Sequence, residues 1–266
     1  MKRILYSLCL LCLFGFQACN EKDKILSTQT IEEYRKAAEK GDVAAQYFLG
    51  VCYEEGKGVK KDKFEAVKWY RMAAEKGYAD AQFKLGACYD RGEGVACDAV
   101  VAVKWYRKAA LQAFAVDRGN IKAQYCLGIC YEFGEGVTAD AVEAVKWWRK
   151  AAEQGDANAQ NFLGVCYKEG KGVSKDGVEA VKWLRRAAEQ GHAGAQGILG
   201  DCYNFGEGIH ADRVLAYMWY YLSIGGGTSD LEQNMKRLTE DMSPQQIAEA
   251  QRKAMEWKPK KEATRP

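Results

Sequence analysis

The stretch Leu49-Gly-Val-Cys-Tyr-Glu-Glu-Gly-Lys-Gly-Val59 holds a cysteine, two carboxylates and a lysine framed by glycines, any of which could serve an active site. It recurs, however, as Leu85-Gly-Ala-Cys-Tyr-Asp-Arg-Gly-Glu-Gly-Val95 and again from Leu127, Leu163 and Leu199. The leading glycines fall at 50, 86, 128, 164 and 200, so the spacings are 36, 42, 36 and 36. Self-similarity at a fixed period of this size is the mark of a stacked array. A catalytic constellation is normally single, so the stretch reads first as architecture.

Between the copies lies a second repeated stretch, Glu65-Ala-Val-Lys-Trp-Tyr-Arg-Met-Ala-Ala-Glu-Lys-Gly77 and its counterparts from Val101, Glu143 and Glu179. Ala66, Trp69, Tyr70 and Ala73 sit at i, i+3, i+4 and i+7, the apolar stripe of an amphipathic helix. Ala45, Leu49, Cys52 and Tyr53 do the same in the opening stretch, so each repeat is a pair of helices. Gly56, Gly92, Gly134, Gly170 and Gly206 stand where a left-handed residue ends the first helix. Asp62, Asp98, Asp140, Asp176 and Asp212 stand where a carboxylate caps the second, and Glu65, Glu143 and Glu179 complete a capping-box pattern. Ile31 to Lys40 reads as a lone second helix ahead of the first full repeat, and Ser243-Pro244 opens a final helix reaching Trp257.

The pattern LGxxYxxGxGVxxDxxxAxxWYxxAAxxGxxxAQ resembles the Sel-one-like repeat, a relative of the tetratricopeptide repeat, over residues 31 to about 257. The resemblance implies an all-α fold: a right-handed α/α superhelical solenoid of five to six helix-turn-helix repeats whose inner face is lined by the first helices. It also implies a scaffold that holds a peptide or protein, with no cofactor. On this reading 31–227 is the solenoid, 228–257 supplies capping helices and 258–266 is a disordered tail.

Lys2 and Arg3 precede an apolar run from Ile4 to Phe16 that is too short to span a bilayer as a stable helix, which makes 1–18 a signal peptide. Phe16-Gln-Ala-Cys19 resembles a bacterial lipobox, with Phe16 where an aliphatic residue is usual. It implies lipidation of Cys19, a tether over 19–30, and an exported chain anchored in the cell envelope, at the outer membrane or periplasmic face; the alternative is simple export, to the periplasm or beyond the cell. Removing Lys2 and Arg3 leaves 37 basic against 36 acidic residues, which is no nucleic-acid footprint.

Seven cysteines remain beyond Cys19: Cys52, Cys88, Cys97, Cys126, Cys130, Cys166 and Cys202. Five share one column, three after the Leu, where tetratricopeptide repeats take a small residue between the helices. Equivalent positions in stacked helices lie about 10 Å apart, too far for a disulfide. Secreted relatives staple each repeat with a cysteine pair, but Ala-Ala stands where the partner is expected. No CxxC or histidine-bearing ligand set accompanies Cys126 and Cys130, so no metal is expected. GxG is followed by no GK[ST]. Two histidines and the absence of GxSxG give hydrolysis no framework, so catalytic residues are expected to be none. A cell-wall or β-lactam-directed hydrolase is the alternative, with a thiol- or metal-binding protein behind it. The Trp column, Trp69, Trp105, Trp147, Trp183 and Trp219, reads as packing between repeats.

By the tetratricopeptide analogy the groove columns lie one, five, eight and nine after the Gln preceding LG. They run Tyr47, Phe83, Tyr125 and Asn161; Val51, Ala87, Ile129 and Val165; Glu54 and Glu132; Glu55, Phe133 and Phe205. An aromatic and aliphatic strip rimmed by carboxylates suits a peptide with apolar anchors and some positive charge, rather than a small-molecule substrate. The six-residue excess of the second repeat falls within Leu111 to Asn120.

Overall fold

A computed structural model describes residues 28–111, 119–228 and 231–260. The signal peptide, Cys19, most of the tether, most of the insertion and residues 261–266 lie outside the described residues. Those described form thirteen helices and no strand. A lone helix α1 (Thr28–Glu39) precedes five pairs: α2 (Val43–Glu55) with α3 (Lys63–Glu75), α4 (Ala79–Arg91) with α5 (Ala99–Leu111), α6 (Ile121–Phe133) with α7 (Ala141–Glu153), α8 (Ala157–Glu169) with α9 (Gly177–Glu189), and α10 (Ala193–Phe205) with α11 (Arg213–Gly225). Two more, α12 (Glu232–Glu240) and α13 (Pro244–Glu256), fold back on α11. Each first helix packs most heavily on the second helix of its own pair, and each second helix then meets the first helix of the next. The stack is the expected α/α solenoid. None of the described helices is long and apolar enough to cross a membrane.

Two glycine positions fix this geometry. The Gly after each Leu brings the paired helices close: a Cβ on Gly50 would lie 2.6 Å from the Tyr70 ring, and one on Gly200 the same distance from Tyr220. The second Gly of each GxG has φ near +70° and lets the turn settle on the preceding pair. A Cβ on Gly94 would stand 2.2 Å from the Lys63 carbonyl oxygen, and Gly136 and Gly172 repeat this against Ala99 and Ala141. The recurring Gln is a second link between repeats. Gln46 Nε2 donates to the Ala38 carbonyl at 2.9 Å, and Gln82, Gln160 and Gln196 do the same to Ala74, Ala152 and Ala188 at 3.1 Å. Each is buried, so the bond is worth more than its exposed equivalent.

Three details differ from expectation. The capping box is half formed: Asp62 Oδ1 accepts from the Phe64 and Glu65 N–H groups, but its own N–H donates to Tyr53 C=O at 2.9 Å, so Glu65 turns to Lys68 instead. A full box occurs at Ser243 and Gln246. Helix α1 starts at Thr28, inside the expected tether. Residues 258–260, expected in the disordered tail, lie against α9, with Lys260 N–H donating to Glu189 C=O at 2.7 Å.

Candidate functional site

The first helices carry the four candidate columns on one side of the stack. Tyr47, Phe83, Tyr125 and Asn161 are half-buried. The Tyr47 ring lies 5.0 Å from Tyr78 and 6.0 Å from Tyr70, and Phe83 is 5.9 Å from Tyr106. Burial and the nearby Asp80 push the Tyr47 hydroxyl up to about 12, so it stays a neutral phenol. Tyr125 meets Phe162 at 6.0 Å. The Asn161 Oδ1 is enclosed without a hydrogen-bond partner among the described residues. Val51, Ala87, Ile129 and Val165 are also half-buried. The strip closes at the fifth pair, where a Cβ on Gly197 would stand 2.5 Å from the Leu231 side chain leading into α12.

The carboxylate rim is not free. Glu54 Oε2 accepts from Tyr70 Oη at 2.6 Å and from Lys84 Nζ at 2.7 Å. Burial alone would push its carboxyl up, but those two donors outweigh it and hold the group below its ordinary value. Asp90 accepts from Tyr106 Oη at 3.2 Å, and Glu132 pairs with Lys171 of the next turn. Glu55 faces Lys57 at 2.5 Å. The expectation that these carboxylates receive a partner's positive charge is therefore corrected: nearby Tyr and Lys side chains engage them. Phe133 and Phe205 are 64% and 68% exposed at the ends of α6 and α10 and make no ring contact with the strip among the described residues.

A column two after the Gln was missed. Phe48 is 46% exposed and lies 5.5 Å from Tyr47 and 6.0 Å from Tyr34. Phe162 stacks on Trp148 at 4.7 Å and 18° beside Tyr125. Lys84, the Glu54 partner, and Cys126 share the column. Its signal was helical spacing: 48, 51 and 55 are i, i+3 and i+7, so a residue on the Val51 face was there to be counted.

Cys52, Cys88, Cys130, Cys166 and Cys202 are buried between paired helices, and all seven described cysteines are free thiols. Burial pushes the column upward, Cys88, Cys166 and Cys202 to about 11 and Cys130 to about 12. Half-buried Cys126 is pushed to about 11. None is a ready thiolate, and among the described residues no cluster of three or more His, Cys, Asp or Glu could hold a metal. Cys97 alone is exposed, its Sγ donating to Asp90 C=O at 3.3 Å. A cavity of about 310 Å³ beside the start of α9 is lined by Lys168, Val178, Ala180 and Cys202, and none of the strip's aromatics reaches it.

The Trp column packs between repeats, with Trp69, Trp147, Trp183 and Trp219 buried and Trp105 half-buried. Cations cover three of the five: Lys108 lies 4.3 Å from the Trp105 ring centroid, Lys150 4.5 Å from Trp147, and Arg186 4.8 Å from Trp183. Beside them an Arg of α3, α5, α7 and α9 donates to the Tyr of the next first helix, as in Arg71 to Tyr89 at 2.7 Å and Arg185 to Tyr203 at 2.8 Å. On that side the chain's own cations lie over the rings of Trp105, Trp147 and Trp183, whereas the half-exposed rings of the strip carry no such cover among the described residues.

The family model of the Sel1 repeat matches residues 34–42, 43–78, 79–114, 121–156, 157–192 and 193–227. A solved protective antigen present in uropathogenic Escherichia coli strains, displaying an SLR fold, is 37% identical with a TM-score of 0.76, covering 89% of this chain and 50% of its own. A Sel1 repeat protein from Oxalobacter formigenes is 35% identical with a TM-score of 0.73, covering 85% of this chain and 93% of its own. An exopolysaccharide production negative regulator of Rhizobium leguminosarum bv. viciae is 42% identical over 55 residues, 21% of this chain and 20% of the regulator. The chain thus spans half the length of the antigen and matches a fifth of the regulator.

Proposed function

The chain belongs to the Sel1 repeat family, whose members mediate protein–protein interactions, and from that premise we propose that it is a binding scaffold of the bacterial cell envelope. It holds an extended peptide or a protein segment along the strip formed by Tyr47, Phe48, Phe83, Tyr125 and Phe162. The observation that carries this reading is that these rings stand partly exposed on successive first helices while the neighbouring carboxylates are already engaged. Recognition then rests on apolar anchors spaced by the repeat, and the partner needs aromatic or aliphatic side chains more than charge. Attachment to the envelope is proposed through acyl chains on Cys19, at roughly 0.8 kcal/mol per buried methylene.

Affinity capture from envelope extracts tests the strip, with Phe48→Ala and Tyr125→Ala compared with the parent chain and thermal unfolding run alongside. Truncating a central anchor costs about 2 kcal/mol, roughly thirtyfold in affinity. Loss of the captured protein from variants that melt like the parent is the expected result. Retention at parental affinity in both variants would place binding on another surface.

A further inference from the structure

The turn edge of the array, where first helices end and second helices begin, is not uniform. Its first turn carries Lys57, Lys60, Lys61 and Lys63 against the single carboxylate of Asp62, followed by Phe64, which is 75% exposed. Lys57 faces Glu55 and Lys63 faces Glu93 at 3.1 Å, while Lys60 and Lys61 are exposed and have no ion-pair partner among the described residues. Later turns also show apolar side chains, such as Val142 and Phe205, but the second and third turns carry Glu93 with Asp98 and Glu135 with Asp140, and no lysine, while the fourth has Lys171, paired with Glu132, and Lys175 beside Asp176, followed by the aliphatic Val178. Basic charge and an exposed aromatic ring coincide at the first turn.

That turn is also where the chain enters the array. Helix α1 aligns with α3 in the 36-residue register, so Thr28 stands where Phe64 does. Val59 of the first turn packs on the core cluster that contains Ile31. Cys19 precedes Thr28 by nine residues, a reach of at most about 30 Å when fully extended. A chain tethered at Cys19 would present this edge, at this end, to the surface that holds the tether.

We propose that the first turn, Lys57 to Phe64, rests on an anionic lipid surface, with the Phe64 ring in the interfacial layer and the lysines on the headgroups. The acidic second and third turns are repelled from the same surface, so the array stands on its first repeat with the aromatic strip clear of lipid. The inference takes the Cys19 anchor from the proposed function only to supply proximity. The patch would partition to anionic lipid without it, on the order of fivefold per lysine.

The test places a dye at Glu55→Cys or at Ala211→Cys in a Cys97→Ser/Cys126→Ser background, which removes the exposed and the half-buried thiol and leaves all four lysines in place. The buried thiols stay unlabelled in the folded chain. The exported full chain is mixed with vesicles of phosphatidylethanolamine and phosphatidylglycerol bearing brominated acyl chains. Quenching is expected at position 55 and not at 211, to be lost in pure phosphatidylcholine vesicles, in about 0.5 M salt, or with Lys60→Glu/Lys61→Glu. Equal quenching at both positions, no quenching at 55, or quenching indifferent to lipid charge overturns the inference. So does a position-55 dye that responds to added protein from envelope extracts and not to vesicles. The intact mass of the mature chain shows separately whether Cys19 is acylated. If it is not, flotation of the unacylated chain with the same vesicles, lost on Lys60→Glu/Lys61→Glu, carries the decision about the patch.

Discussion

Gly128→Ala sets two opposing effects against each other at a known separation. Alanine favours a helix interior over glycine by about 1 kcal/mol, so on local propensity α6 should gain. A Cβ at Gly128 would, however, lie 2.2 Å from Trp148 Nε1, 2.3 Å from Cδ1 and 2.7 Å from Cε2. Trp148 is 1% exposed and stacked on Phe162, so the ring is enclosed on both sides. Overpacking a filled core costs about 1–3 kcal/mol, and three ring contacts all shorter than 3 Å put this site at the upper end. The expected net loss is about 1–2 kcal/mol. Repeat arrays unfold in parts, so amide exchange in α6 and α7 is the assay of choice, with urea unfolding beside it. Gly128→Ala/Trp148→Ala should fall short of the summed single losses by at least about 1 kcal/mol, because the added methyl then enters the space the ring has left. A Gly128→Ala chain as stable as the parent, or an additive cycle, would refute close helix approach as the reason for this glycine. Because Trp148 supports Phe162 beside Tyr125, the same substitution should weaken partner capture.

Helix α10 is capped by His192, whose Nδ1 accepts from Ala195 N–H at 3.1 Å, where Asp42, Asn120 and Asp156 cap α2, α6 and α8. Burial lowers its pKa below 6.5, against weaker raising effects of a backbone hydrogen bond and Asp156. A folded value below the unfolded one means the cap is fully present above pH 6.5 and is lost as pH falls below it. Amide protection at the start of α10 should drop by about 1 kcal/mol on acidification, and His192→Asn should flatten that dependence; an unchanged slope in the variant would exclude the histidine as its source. For the thiols, titration with a disulfide reagent near neutral pH should label Cys97 rapidly, Cys126 slowly, and the buried column only after denaturant is added. Fast labelling of three or more thiols in the folded chain would instead favour a thiol chemistry for this array.

Local signals carried the fold because each acts within one helix pair. Gly56 ends α2 at φ 77° and Asp62 starts α3 through its side chain, and both are legible from residue type and position alone. What stayed hidden was whatever one repeat does to another. The second glycine of GxG is explained by the backbone of the preceding pair, as Gly94 is by Lys63, and nothing near it in sequence names that neighbour. The Glu of the capping box lost its role because Tyr53 C=O had already taken the Asp62 N–H. The site shows the same division. Glu54 and Glu132 read as free charges because Lys84 and Lys171 lie 30 and 39 residues away along the chain, yet stand beside them in the stack. A solenoid places a side chain from the next repeat beside every groove position, so charge there is matched internally unless the next repeat lacks the complement. Aromatic rings have no such single partner to satisfy them. Tyr47, Phe48 and Phe162 touch other rings and are still only partly buried, which is why the proposed binding surface is drawn along the apolar strip rather than along the carboxylates beside it.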